Sequence, residues 1–300
     1  MGIGHYIREI GRGRQGARAL AREQATDLMG QVLDGRVTDL EVGAFCLAMR
    51  IKGETPQELA GFLDAVHARL VRRPASQQPV VVLPSYNGAR RVPVLTPLLA
   101  LLLARAGCAV LIHGHATEDA RVGVTDVLGA LDISVHDAIE DIAPGALTYC
   151  DTAALCPPLA RLLAVRRLVG LRNPAHSVVK LMNPCAGAAV IVGSHTHAEY
   201  ADAMAGAFEL TGATAMLLRG TEGEPVADAR RMPRMDGFVR GQRRLLEPGT
   251  SGPRVAPTGL PDAVDAAITA DYIRAVLAHR LPVPAPVARQ VEQLLQLVHA

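Results

Sequence analysis

At 300 residues, 49% of them apolar, the chain is long enough for one large or two smaller domains with real cores. Its longest apolar run, Val92 to Ala104, is broken by Pro93 and Pro97 and stopped by Arg105; that falls short of the roughly 20 residues a membrane-spanning helix needs, so no membrane partner is expected. A formal charge of +2 with a pI near 8.4 is too mild, taken globally, to declare a nucleic-acid binder.

The first seventy residues read as helical. "ARALAREQATDLMGQVLDG" places Leu20, Leu28, Val32 and Leu33 at helical spacing and stops at Gly35. Two capping boxes follow, Thr38 with Glu41 and Thr55 with Glu58, the second with Pro56 at the first helical position, and Gly53 separates the helices they open. After the linker "RRPASQQP" the pattern alternates: strand Val80–Leu83, helix Pro97–Ala106, strand Ala109–His113, a helix near Thr125–Leu131, strand Ala188–Val192, helix Ala198–Leu210 and strand Thr214–Leu218. Thr196 with Glu199 predicts a further capping box. The segment "LEPGTSGPRVAPTGLP" reads as a loop, and two helices close the chain. Apolar strands alternating with helices argue a mainly parallel, buried sheet. The fold class is therefore α/β: a small helical domain over 1–73 and a larger, mainly parallel α/β domain over 79–300.

Charge is unevenly spread. Arg161 to Lys180 holds five basic residues and no acid, and Ala229 to Arg244 holds six arginines against Asp236 alone. Ile112 to Asp151 carries eight acids and one arginine. This segregation can build one basic face on a nearly neutral protein, although such runs are also ordinary solvated surface. Of the 31 basic residues 29 are arginine, a side chain suited to bidentate phosphate contacts. The five cysteines form no C-x-x-C pair, so neither a zinc site nor a disulfide framework is expected. The amino-terminal "MGIGHYIREIGRGRQ" lacks the apolar core of a secretory signal, which makes the cytoplasm the expected location.

The order of "MRIKGETPQELAGFLDAV", "IHGHATEDARVGVTDVLGALDI" and "RRLVGLRNPAHSVVKLMNP" resembles the anthranilate phosphoribosyltransferase (glycosyltransferase family 3) family along nearly the whole chain. "RNPAHSVVKLMNP" and "LLRGTEGEPVADARR" resemble its YbiB-like branch, described as DNA-binding. The resemblance implies a two-domain fold in which part of 160–187 joins the helical domain and a cleft separates it from the α/β domain, and a homodimer joined through the helical domain. Departures from the enzymes are concentrated in the loop after the first strand. There the family carries Gly-Thr-Gly-Gly-Asp for the diphosphate of phosphoribosyl pyrophosphate, and this chain has Pro84-Ser85-Tyr86-Asn87-Gly88-Ala89. The family's Lys-His-Gly-Asn-Arg survives only as Ile112-His113-Gly114-His115-Ala116, and its magnesium-holding Asp-Glu pair lies near "TEGEP", where Glu222 and Glu224 are not adjacent.

These residues predict a non-catalytic, largely sequence-independent binder of DNA or RNA with no metal or cofactor. Its phosphate contacts are expected from Arg90, Arg91, Arg166, Arg167, Arg172, Lys180, Arg230, Arg231 and Arg234, with Ser85, Tyr86, Asn87, Gly88, His113, Asn173 and His176 lining the cleft. Tyr86 could stack on a base. Interdomain salt bridges are the competing account of the arginines. The H-x-H pairs His113/His115 and His195/His197 are weak metal signals. The alternative function is phosphoribosyl transfer to an aromatic or nitrogenous acceptor, with magnesium on Glu222 and Glu224.

Overall fold

The computed structural model describes residues 2–13, 15–71, 73–116, 118, 120–135 and 141–300. Four helices come first: α1 Gly4–Ile10, α2 Arg22–Leu33, α3 Asp39–Lys52 and α4 Pro56–His67. Both expected capping boxes at α3 and α4 form. Thr38 Oγ1 accepts from Glu41 N at 3.3 Å while Glu41 Oε2 accepts from Thr38 N at 2.9 Å, and Thr55 and Glu58 repeat the exchange at the same distances. Gly35 (φ +68°) follows α2 and Gly53 (φ +81°) ends α3, backbone angles that glycine adopts without a Cβ penalty.

The chain then enters the sheet with β1 Val80–Ser85, α5 Thr96–Arg105, β2 Ala109–Gly114, α6 Val124–Ala130 and β3 Leu147–Asp151. It returns to the helical bundle through α7 Thr152–Leu155, α8 Pro157–Val169 and α9 Ala175–Val178, of which α8 packs against α2 and α9 against α4. β4 Ala189–His195, α10 Ala201–Thr211, β5 Ala215–Arg219, β6 Met235–Val239, β7 Gln242–Glu247, α11 Ala266–Leu277 and α12 Ala285–Val298 complete the chain. Among the described residues the strands form one sheet in the order β3-β2-β1-β4-β5-β6-β7, with β1 to β5 parallel and β6 and β7 antiparallel.

Successive side chains of a strand face opposite sides of the sheet. Val80 and Val82 of β1 join the core shared with the helical bundle, while Val81 and Leu83 pack under α5, α6, α11 and α12. The strand order reverses beside β1, which pairs with β2 on one side and β4 on the other. A crevice at the carboxyl ends of the strands opens at such a point, and open parallel sheets bind their ligands there.

Two local expectations fail. The Thr196–Glu199 box does not form: residues 198–200 make a single 3-10 turn capped by no side chain, and α10 begins only at Ala201, so Glu199 is not on a first helical turn. The 229–244 segment, read as a charge run, contains the β6–β7 hairpin. Its two turn residues, Arg240 (φ +49°) and Gly241 (φ +79°), both take the positive angles a tight hairpin turn requires.

Candidate functional site

Beyond Ser85 the chain crosses the carboxyl ends of the strands with its backbone N–H groups turned toward residues 221–224, the loop that follows β5. Asn87 N and Gly88 N donate to Glu224 Oε1 at 2.8 and 2.9 Å, and Thr96 Oγ1 and Ser85 Oγ donate to Glu224 Oε2, the former at 3.1 Å. Arg90 N and Arg91 N donate to the two oxygens of Glu222 at 2.6 and 2.8 Å. The acidic loop is itself held in place, because the Gly223 carbonyl accepts from Lys180 Nζ at 2.9 Å and from Ser194 Oγ at 2.7 Å. Asn87 Nδ2 adds a bond to the Glu222 carbonyl at 2.8 Å. A Cβ on Gly223 (φ +87°) would sit 1.9 Å from Asn87 Nδ2, which fixes glycine at that position.

A layer of polar core lies beneath the loop. Tyr86 is 5% exposed, its hydroxyl bonded to His113 Nδ1 at 2.7 Å and to Thr152 Oγ1. Burial drives His113 down to about 3 and Tyr86 well above its ordinary value, so both are neutral near pH 7. Neither lines the cleft, and Tyr86 is too deep to stack on a base. Ser85 and Asn87 are buried as well, Ser85 beneath Glu224 and Asn87 with its side-chain carbonyl taken by Arg172 Nη2 at 3.1 Å. The expected cleft lining is corrected for Ser85, Tyr86, Asn87 and His113: the side chains of 85–87 face inward where the loop backbone binds the carboxylates, while Arg90 and Arg91 stay exposed.

Two connected cavities open above this layer. The larger, about 1450 Å³, is walled by the tips of β4 and β5, the 228–236 and 248–254 segments and the Arg90–Arg91 pair. Ten arginines line it against four carboxylates, an excess of six formal positive charges. The smaller, about 390 Å³, lies between the helical bundle and the sheet and holds Arg166, Asn173, His176 and Lys180. Arg121, Arg172, His195, Thr196 and His197 border both cavities.

Of the expected phosphate contacts, Arg90, Arg91, Arg172, Arg230, Arg231 and Arg234 stand on the large cavity and Arg166 and Lys180 on the small one. Arg167 borders neither; it donates to the Ala116 carbonyl at 3.3 Å from an exposed position. Arg166 and Arg172 of the 161–180 run draw their acid partner from a distant loop, and Arg230, Arg234 and Arg243 of the 229–244 run find theirs close by. Arg166 and Arg121 meet Glu118 at 2.7 and 3.0 Å, with Arg172 at 3.6 Å. Arg230 and Arg254 share Asp228 at 2.8 and 3.1 Å, and Arg234 and Arg243 share Asp236 at 2.8 and 3.2 Å. Burial works to raise these three carboxyls, yet the hydrogen bonds and charges of the arginines outweigh it and hold each below its ordinary value. The carboxylates therefore stay ionised and fix the direction of the guanidinium groups beside them.

Lys180 is buried and holds carbonyls, unlike the surface phosphate contact expected of it. Burial first, then Arg172, push its ammonium down to about 8 against the pull of Glu224. His176 is pushed to about 3 by burial and by Arg172 and Arg166, and its Nε2 has no hydrogen-bond partner among the described residues. His195 and His197 border the cleft, but among the described residues no group of three or more His, Cys, Asp or Glu is placed to hold a metal ion. The sequence reading missed Arg121, Arg219, Arg243 and Arg254. Arg219, at the carboxyl end of an apolar strand, carried a usable signal; Arg121, alone in an acidic segment, carried none.

Comparison with known proteins places this geometry. Residues 5–69 match the helical bundle domain of a glycosyl transferase family. The chain is 38% identical to the uncharacterized protein YbiB of Escherichia coli K12, over 93% of this chain and 88% of that one. It is 30% identical to the anthranilate phosphoribosyltransferase of Leifsonia xyli, over 86% of this chain and 77% of the enzyme. The chain belongs to the anthranilate phosphoribosyltransferase family. Solved structures of the family share the fold: the enzyme of Thermus thermophilus superposes with a TM-score of 0.71 at 22% identity, over 94% of this chain and 85% of that one. The enzyme of Saccharomyces cerevisiae, in complex with PRPP and Mg, gives 0.70 at 13% identity, over 99% of this chain and 88% of that one. Within the family fold, this chain presents an arginine wall and a backbone amide nest filled by its own glutamates.

Proposed function

We propose that this protein binds nucleic acid in the arginine-walled cleft, with little sequence preference and without transferring phosphoribose. The observation that carries the reading is the wall itself. Ten arginines border about 1450 Å³ of open cleft, and three carboxylates orient seven of the chain's arginines at its edges. Guanidinium groups on a wide surface suit a phosphate backbone, whose contacts position without reading sequence. A double strand or a single strand would serve equally. Self-association through α3 and a cytoplasmic location complete the proposal.

A salt titration tests it. Fluorescence anisotropy with labelled DNA and RNA should give log affinity falling by roughly 0.9 per neutralised phosphate for duplex and 0.7 for single strands. The variant with Arg230, Arg231 and Arg234 all replaced by alanine should bind every sequence more weakly and with a flatter slope. No binding at about 50 mM salt, or a slope untouched by the triple variant, would refute the reading.

The second reading is phosphoribosyl transfer, favoured by the 30% identity to the Leifsonia xyli enzyme. It requires a cation and donors at the leaving diphosphate. Glu222 and Glu224 carry suitable oxygens for magnesium, yet each is committed to loop amides and would have to leave them. Calorimetry with phosphoribosyl pyrophosphate and magnesium, followed by an anthranilate consumption assay, separates the readings: micromolar binding with turnover would favour the enzyme.

A further inference from the structure

The amides of residues 87–91 form two anion cradles, and both are occupied from within. Glu224 is 1% exposed and takes four donors, so it belongs to the core. Glu222 differs. It borders the large cavity, and its carboxylate lies across two successive amides, those of Arg90 and Arg91, as two oxygens of a phosphate do in a backbone nest. It reaches them from a left-handed backbone (φ +52°), a conformation uncommon for a residue with a Cβ. An anionic side chain in that position repels any second anion and covers the N–H groups that would receive it.

We propose that the Arg90–Arg91 amide pair is a phosphate site closed by the chain's own Glu222, which thereby sets the ligand class of the cleft: phosphates can meet arginine side chains, but a free diphosphate is kept from the backbone. The proposal does not depend on nucleic-acid binding, since it concerns two amides and is tested with inorganic pyrophosphate, so either can fail alone.

The test uses Glu222→Gly and Glu222→Asn. Both residues tolerate positive φ, so loss of the fold does not stand in for loss of the carboxylate. Asp202→Ala is the charge-matched control, an exposed carboxylate on the same cavity that covers neither amide. Calorimetric titration with pyrophosphate should show binding at least about tenfold tighter in both Glu222 variants than in the wild type. The backbone amide resonances of Arg90 and Arg91 should shift with pyrophosphate in the variants and stay fixed in the wild type. Unchanged affinity, an equal gain from Asp202→Ala, or tightening without movement of those two resonances would each overturn the proposal. The first would mean that the amides are no phosphate site, and the other two that net cleft charge governs binding.

Discussion

Glu58 is wholly buried at the start of α4 and closes the capping box with Thr55, while also accepting from Leu20 N at 3.0 Å and from Lys52 Nζ at 2.6 Å. One carboxylate thus ties together the approach to α2, the end of α3 and the start of α4. Glu58→Ala would leave the buried Lys52 ammonium without its counter-charge, holding only the Gly53 carbonyl, and two amides without partners, and chemical denaturation should show a loss of about 3–5 kcal/mol. Glu58→Gln, which keeps one acceptor, should cost less. The buried histidines give a second residue-scale prediction. His113 and His176 are pushed to about 3 and His67 to about 4, in each case chiefly by burial. Below a pKa near 6.5 the unfolded chain protonates these rings and the native one does not, so their contribution to stability is complete above pH 6.5 and is lost as pH falls toward 4. Urea unfolding between pH 6.5 and 5, above the range of the carboxylates, should show this loss. His113→Asn should reduce it by up to about 1.4 kcal/mol per pH unit.

At the scale of elements, α2 and α4 touch where Gly61 lets the backbones meet. A Cβ there would lie 2.2 Å from the Arg22 carbonyl and 2.8 Å from Ala25 Cβ. Gly61→Ala should therefore lower stability by about 1–3 kcal/mol despite alanine's better helix propensity, read as a lower urea midpoint. Helices α2 to α4 and strands β1, β2, β4 and β5 were legible because their punctuation is local, with Thr38, Thr55 and Pro56 marking starts and Gly35 and Gly53 stops; α7 to α9 were not assigned. β3 was missed because five half-buried residues after an acidic stretch carry little periodicity. The β6–β7 hairpin was hidden by its arginines, although "VRGQ" offered a turn glycine. At the site, the cleft arginines could be read from composition and segregation. The inward turn of Tyr86 could not, because it goes with loop amides pairing with Glu222 and Glu224 more than 130 residues away. Glu118 as partner of Arg166 and Arg172 escaped for a similar reason, lying about fifty residues away in an acidic segment.

Across the whole molecule, α3 presents Leu40, Leu47 and Ile51, exposed by 84%, 46% and 57%, at spacings of seven and four that share one helix face, while Phe45 of the same helix is fully buried. That face is the one we assign to self-association. Multi-angle light scattering at micromolar concentration should report a dimer for the wild type and a monomer for a Leu40→Glu, Leu47→Glu double variant with unchanged circular dichroism. The return of the chain from β3 to the bundle bears on its biosynthesis. Val71 N donates to the Leu155 carbonyl at 2.9 Å, Arg161 Nη2 to the Leu33 carbonyl at 3.3 Å and Asn183 N to His67 Nε2 at 3.1 Å. The first four helices leave the ribosome without these partners, and at about 5–20 residues per second they wait several seconds for α7, α8 and α9 to emerge. A ribosome-stalled chain ending near residue 75 should be cleaved rapidly by a protease that spares one stalled near 220.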